Sequence, residues 1–299
     1  MSAAPPAPLI VHVVNALRAG GLENGVINLI NGLPADRFRH AVVCLTDYDD
    51  FAKRIDDDAV PVIALHKRPG KDPSWYLRMW QTLRSLRPAI VHTRNLATIE
   101  AQAVAFLAGV PARIHGEHGW DVYDLRGANR KYRTLRRILA PFIHRFVPLS
   151  LELESYLVDA VGIPAGKSQR ICNGVDTQRF HPRHGERFPI PGQEPGDIVL
   201  GSIGRMEPVK DPLNLVDAFI LAADAHATFR ERARLAIVGD GSLHGQALER
   251  LREAGLADRA WLPGHREDVA QVLRGFDLFV LPSKAEGISN TILEAMASG

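Results

Sequence analysis

Two carboxylates stand eight positions apart in the segment Glu286-Gly287-Ile288-Ser289-Asn290-Thr291-Ile292-Leu293-Glu294. Glu286 follows the apolar run Leu278 to Leu281, so it sits at the carboxyl end of an expected buried strand, the edge where open α/β sheets bind ligands. Gly287 permits close backbone approach. Ser289 or Asn290 can cap a new helix, whose first free N–H groups can hold an anion. Glu294, about one turn inside that helix, can reach a pair of ribose hydroxyls. The plain alternative is a loop carboxylate and a solvated helix position.

A second constellation follows the run Ile198 to Ile203, where Gly204-Arg205 leads to Lys210 five positions later. Both cations leave the carboxyl end of an expected strand. An arginine makes paired hydrogen bonds and a lysine a point contact, a combination that suits a diphosphate and offsets charge on a departing phosphate. Two solvated cations on a surface loop would read the same. Gly239-Asp240-Gly241, after Arg234 to Val238, reads as turn chemistry.

In the first half, the run Leu9 to Val14 enters Ala19-Gly20-Gly21-Leu22-Glu23, a glycine-rich turn opening a helix, where backbone N–H groups could face a phosphate or a sugar. The glycine spacing is not that of a dinucleotide site. His115-Gly116-Glu117-His118-Gly119-Trp120-Asp121 follows a short strand Ala112 to His115. Its glycines argue for an irregular loop rather than a metal-binding helix, and His118 faces sugar hydroxyls or is simply a hydrogen-bonded loop residue. Asp47-Tyr48-Asp49-Asp50 has the spacing of a divalent-cation pair but reads better as a solvated turn. Ser-His-Asp, Walker-type and paired Cys-x-x-Cys motifs are absent, and neither Cys44 nor Cys172 matches a zinc or disulfide spacing.

Arg126, Arg130, Lys131, Arg133, Arg136, Arg137 and Arg145 interleave with Tyr132, Leu135, Ile138, Leu139 and Phe142 at helical spacing. Such a helix packs its apolar side on the domain and leaves a basic face free, for water or for anionic headgroups. A formal charge of +2 gives no case for nucleic acid as a partner. The N-terminus lacks a basic leader, and no apolar run approaches the ~18 residues of a membrane span. A cytoplasmic protein is expected, peripheral at the inner membrane face if it meets a membrane at all.

These groups need a frame to hold them. Short apolar, β-branched runs at Leu9 to Val14, Ala41 to Leu45, Val60 to Leu65, Ala89 to His92 and Arg145 to Leu149 alternate with helical patterns such as Glu23 to Leu33 and Trp75 to Leu86. The same alternation restarts at Ile198 with helices over Pro212 to Ala225 and Leu243 to Ala254. Prolines and glycines crowd 182–196. The fold class is therefore α/β, with two Rossmann-like domains of parallel sheet facing a cleft. Residues 8–183 form one domain, 184–196 a linker and 197–299 the other.

Taken together, the Gly20-Gly21-Leu22-Glu23 loop, His118, Asn173-Gly174-Val175-Asp176 with Phe180, Gly204-Arg205 with Lys210, and the Glu286/Glu294 pair resemble the retaining glycosyltransferases of family 4. Members that build bacterial exopolysaccharide are the nearest in pattern. The resemblance spans nearly the whole chain and implies the GT-B fold, with residues 8–183 on the acceptor side and 197–299 binding the donor. It implies a nucleotide-diphosphate sugar as donor, a glycan or lipid-linked acceptor, and neither metal nor cofactor. By the same resemblance Arg205 and Lys210 hold the diphosphate and Glu294 the ribose. Glu286 and the backbone of Gly287, Ile288, Ser289 and Asn290 hold the transferred sugar or its phosphate, and His118 touches the sugar near the reacting carbon. Gly20, Gly21 and Gly204 line the donor. The family continues past the position of Gly299, so the second domain is expected to be incomplete, and these 299 residues alone to bind donor weakly or fail to turn over. A nucleotide-sugar epimerase, a phosphorylase, or a non-catalytic nucleotide-sugar-binding module are the competing readings.

Overall fold

The structure, a computed structural model, describes residues 7–120, 124, 127–185 and 187–299. It divides into two compact units, Met1–Cys172 and Asn173–Gly299.

The first unit is a six-stranded parallel sheet of β1 (Leu9–Val14), β2 (Arg39–Cys44), β3 (Val62–Ala64), β4 (Ile90–Arg94), β5 (Ala112–Glu117) and β6 (Arg145–Pro148), in the order β3-β2-β1-β4-β5-β6. Its helices are α1 (Gly21–Gly32), α2 (Ser74–Leu86), α3 (Asn95–Thr98), α4 (Ala101–Leu107), α5 (Arg130–Leu139) and α6 (Leu151–Ser155). The order in which the chain adds strands reverses between the parallel neighbours β1 and β4, so the connections after these two strands lead to opposite sides and leave a crevice at the carboxyl edge of the sheet. Helix α2 buries Trp75, Met79 and Leu83, one stripe at successive turns, against Val11, Val13, Val43 and Val91 on one face. Each such burial contributes about 1.5–3 kcal/mol. On the other face α1 packs Val26, Ile27 and Ile30 on Val14, Val42 and Cys44.

The second unit carries β7 (Ile198–Ile203), β8 (Ala233–Val238), β9 (Ala260–Gly264) and β10 (Leu278–Phe279), parallel in the order β10-β7-β8-β9. Its helices are α7 (Pro212–Ala225), α8 (Ala227–Arg232), α9 (His244–Glu253), α10 (Val269–Leu273) and α11 (Asn290–Ser298). The first unit ends at Cys172, eleven positions before residue 183, and the 184–196 segment is no free linker. Phe180 and Ile190 bury in the second unit's core with Val199 and Phe276, Phe188 packs beside them, and Arg187 pairs with Asp277 at 2.5 Å. Proline and glycine content marks an irregular path, but apolar side chains decide which core that path joins.

Strand β10 is shorter than the apolar run. After Val280 N donates to Gly201 O at 2.8 Å the chain turns away from the sheet. Among the described residues no helix is long and apolar enough to cross a membrane.

Candidate functional site

Because β7 and β10 are hydrogen-bonded parallel neighbours, with Leu200 opposite Leu278 and Gly201 opposite Phe279, the loops that follow them leave the same sheet edge side by side. Those loops carry Gly204–Lys210 and Glu286–Asn290. Lys284 N donates to Val209 O at 2.9 Å, and the Lys284 ammonium lies 3.3 Å from Asp211. Lys210 Nζ donates to Glu286 Oε1 at 2.5 Å. One residue from the cation constellation and one from the acid pair thus meet. The Arg205 side chain is exposed and, among the described residues, makes no hydrogen bond or ion pair.

Backbone packing fixes this edge. Gly239 and Gly241, both at positive φ, pack under the Gly204–Met206 loop, where a Cβ at Gly239 would lie 2.0 Å from Gly204 O and one at Gly241 2.6 Å from Met206 O. Met206 N donates to Asp240 O and Leu243 N to Met206 O. Glu207 accepts from the backbone N–H and the hydroxyl of Ser242, at 3.1 and 2.8 Å, and these bonds hold its carboxyl below the usual range. The Gly239-Asp240-Gly241 turn is therefore more than a reversal: it is the floor on which the arginine loop rests.

Helix α11 begins one residue after Ser289, which has extended backbone at the cap position, but the Ser289 hydroxyl bonds Thr291 Oγ1 at 2.9 Å instead of a helix N–H. The expected side-chain cap is not made, since the neighbouring hydroxyl competes for it. Asn173 Nδ2 donates to Ile288 O at 3.2 Å and to Asn290 Oδ1 at 2.7 Å, which ties the Asn173-Gly174-Val175-Asp176 segment to the start of α11. Glu294 is half-buried in that helix. Burial raises its carboxyl above the ordinary value, with Arg179 pulling the other way.

In the first unit, Gly20 precedes α1 with extended backbone, and a Cβ there would lie 2.1 Å from the Glu23 carboxylate. The absent side chain is where Glu23 sits. Strand β5 runs to Glu117, two residues beyond the expected end, so Gly116 and Glu117 belong to the sheet instead of an irregular loop. The cause is a buried chain of donors. Gln102 Nε2 donates to Thr93 Oγ1 at 2.6 Å, and Thr93 Oγ1 meets His115 Nδ1 at 2.8 Å. His115 Nε2 meets Glu117 Oε1 at 3.3 Å, and Arg136 closes on the carboxylate at 2.6 and 3.0 Å. Burial pushes the Glu117 carboxyl up, but Arg136 and His115 outweigh it and hold it at about 2. His118 follows directly, its backbone N–H donating to Asn95 Oδ1 at 2.7 Å. Burial first, and the charge of Arg94 next, lower its imidazole to about 3 against a smaller opposing pull from Glu117.

The basic face expected from Arg126 to Arg145 is not all free. Arg136 is 4% exposed and spent on Glu117, Arg137 Nε donates to Val161 O at 2.8 Å, and Arg133 Nη2 to Ala128 O at 2.8 Å. Arg126 and Asp121 lie outside the described residues. Asp47 and Asp49 bind the backbone N–H groups of Tyr48 and Phe51, Asp49 capping a short turn of helix. Among the described residues no group of three or more His, Cys, Asp or Glu side chains could hold a metal ion.

Two α/β units of parallel sheet, the second with charged loops at its carboxyl edge, have the GT-B fold. The chain belongs to glycosyltransferase family 4: a model described as Glycosyltransferase Family 4 matches residues 19–179, and one described as Glycosyl transferases group 1 matches residues 197–299. It is an enzyme that transfers sugars, and an epimerase is not favoured. It is 28% identical to UDP-Gal:alpha-D-GlcNAc-diphosphoundecaprenol alpha-1,3-galactosyltransferase of Escherichia coli, covering 97% of this chain and 77% of that one. It is 32% identical to the lipopolysaccharide core biosynthesis mannosyltransferase LpsB of Rhizobium meliloti, covering 97% and 70%. Among solved structures, Anabaena HepE with UDP and glucose aligns with TM-score 0.75 at 18% identity, over 97% of this chain and 78% of that one. The relatives' names place them in polysaccharide, lipopolysaccharide core and diphosphoundecaprenol-linked glycan synthesis.

Proposed function

We propose that the enzyme moves a hexose from a uridine-diphosphate sugar to a hydroxyl of a lipid-linked or growing glycan, with retained anomeric configuration, at the cytoplasmic face of the membrane. The observation that carries this reading is the Lys210–Glu286 pair, which sets a phosphate-seeking cation beside a hydroxyl-seeking carboxylate on one sheet edge. The donor diphosphate takes Lys210 from Glu286 and engages Arg205, which freed Glu286 answers by accepting from the sugar's hydroxyls. The Gly287–Asn290 backbone and the start of α11 face the sugar or its phosphate, Glu294 accepts from the ribose, and Gly204 lets the phosphates approach. By the family resemblance, Gly20 and Gly21 are assigned a phosphate and His118 a sugar hydroxyl.

In the transfer, the bond from the anomeric carbon to the phosphate oxygen breaks while the acceptor oxygen bonds to that carbon on the same face. The acceptor's proton passes to the leaving phosphate. Arg205 and Lys210 stabilise the charge that grows there, so neither metal nor cofactor is assigned a part. Uridine donors come first because HepE crystals hold UDP and UDP-glucose, and a diphosphate-lipid acceptor because the Escherichia coli relative uses one. Arg130 and Lys131 of α5, whose side chains are unspent among the described residues, would meet the anionic surface carrying that lipid. The test is thermal protection by a panel of nucleoside diphosphates and their sugars, repeated with Arg205→Ala and Glu294→Ala. Protection by UDP-sugars that both variants lose, at unchanged melting temperature, supports the reading; protection that survives both variants defeats it.

A further inference from the structure

Helix α2 shows the solvent a face that is neither plainly polar nor covered. Trp75, Met79 and Leu83 turn to the core. At about 3.6 residues per turn, the far side of the helix then carries Tyr76, Leu77, Trp80, Arg84 and Arg87. Tyr76 is 37%, Leu77 57% and Trp80 39% exposed. Trp80 stands one turn from Tyr76 and Leu77 on one side and from Arg84 on the other, so the apolar groups and the arginines form one stripe. A helix on a domain surface ordinarily gives that side to polar groups. Here two aromatic rings and a leucine occupy it.

The loop leading into α2 adds charge. From His66 to Arg87 the chain has Lys67, Arg68, Lys71, Arg78, Arg84 and Arg87 against one acid, Asp72, in a molecule whose formal charge is +2. Asp72 turns inward and accepts from Arg68 N at 3.0 Å, Ser74 N at 3.2 Å and Arg78 Nη2 at 2.8 Å, while Arg78 Nε donates to Leu65 O at 2.8 Å. Those bonds hold the loop in one shape and consume both Asp72 and Arg78. The side chains of Arg68, Lys71, Arg84 and Arg87 are exposed and, among the described residues, make no hydrogen bond or ion pair. On the loop after the neighbouring strand β2, Asp47 and Asp49 turn to backbone N–H groups and Asp50 pairs with Lys53 at 2.8 Å.

We propose that the 66–71 loop and the outer face of α2 dock the enzyme on a bilayer of anionic lipid. Tryptophan and tyrosine rings settle at the headgroup level, a leucine enters the acyl boundary, and the surrounding cations meet lipid phosphates. A second copy of the chain is a poor occupant, because a two-fold interface would set these unopposed cations against their own like. The surface lies at the carboxyl edge of the first unit's sheet, since the loop follows β3 and α2 starts there, the same edge from which the connection to Arg130 and Lys131 leaves β5. The proposal rests on the reading of a lipid-linked acceptor, for which it names the docking face.

The test is flotation of the chain with vesicles of phosphatidylglycerol mixed with phosphatidylcholine, compared with phosphatidylcholine alone. Binding to the anionic vesicles that weakens as salt rises is expected. Each cation at such a surface is worth about fivefold in affinity, so Arg68→Glu/Lys71→Glu/Arg84→Glu/Arg87→Glu should bind at least about 100-fold more weakly. Leu77→Ser/Trp80→Ser should lose about tenfold or more, and Arg130→Glu/Lys131→Glu less than the four-charge variant. Brominated acyl chains should quench tryptophan fluorescence, and Trp80→Phe should abolish most of that quenching. The proposal is overturned by absence of binding to anionic vesicles at low salt, by undiminished binding of the four-charge variant, or by a greater loss in Arg130→Glu/Lys131→Glu. Should the four-charge variant fail to fold, quenching that Trp80→Phe leaves unchanged overturns it instead. A lipid-free dimer in sedimentation equilibrium that Leu77→Ser/Trp80→Ser dissociates would give the face to a second copy and overturn it as well. Failure of the functional reading shows differently: vesicles bind the chain through α2 while no nucleotide sugar protects it in a melt without lipid.

Discussion

The carboxyl edges of the two sheets are built from the same strand-and-loop plan but treat polar groups in opposite ways. In the first unit they are buried and bonded to one another, Glu117 with Arg136 and His115, Arg94 with His12 and His92. In the second they are partly open, with Arg205 exposed and the Lys210–Glu286 pair about a quarter exposed on each side. A buried network is costly to rearrange, because each group it strands loses both water and partner. An open ion pair exchanges partners at little cost. The first edge is suited to holding one geometry, the second to receiving and releasing an anion.

The sharpest break in that contrast is Glu117→Gln, which removes the buried carboxylate charge opposite Arg136 and should cost about 3–5 kcal/mol in denaturant unfolding. A loss under ~1 kcal/mol would place the first edge in the same open class as the second. Arg205→Ala should do the reverse, lowering kcat/KM for the nucleotide sugar by about 100-fold or more while the melting temperature holds. Gly239→Ala, whose methyl would collide with Gly204 O, should destabilise by about 1–3 kcal/mol and weaken donor binding in calorimetry by displacing the Arg205 loop. Lys210→Met should change stability by less than ~1 kcal/mol and still weaken UDP binding. The smallest effect concerns Glu294. Its folded carboxyl is raised by burial, so the ionised form opposes folding above the unfolded pKa and the penalty vanishes as acid protonates both states. Glu294→Gln should therefore be the more stable protein at neutral pH and show no gain in acid, read by urea unfolding at both.

Much of this was legible in the chain itself. The strands Leu9–Val14 and Ile198–Ile203 and the helix Pro212–Ala225 have the bounds that apolar periodicity gives, because each buries a continuous run or a regular stripe. The ends of β5 and the place of the 184–196 segment were not legible. A strand that continues through Gly116 and Glu117 is held there by Arg136, nineteen positions away, and local propensity contains no trace of so remote a partner. Arg94 and His92 escaped notice for the same reason. A histidine in an apolar strand looks like any satisfied core residue until His12 and Arg94 are seen beside it. The basic run of α5 misled in the other direction, since charge along a helix does not reveal which cations fold inward.

By itself the sequence determined the two α/β alternations, the strand ends at which Gly204-Arg205 and Glu286 had to emerge, and the family these spacings denote. Such features follow from local periodicity and from the few residue types that fit a strand-to-helix turn. Tertiary structure alone decided that Lys210 bonds Glu286, that Arg136 belongs to Glu117, and that His12 and His92 gather on Arg94. Those outcomes depend on strand order and register, which bring together residues tens of positions apart, and register is set by how whole faces pack rather than by any segment read alone.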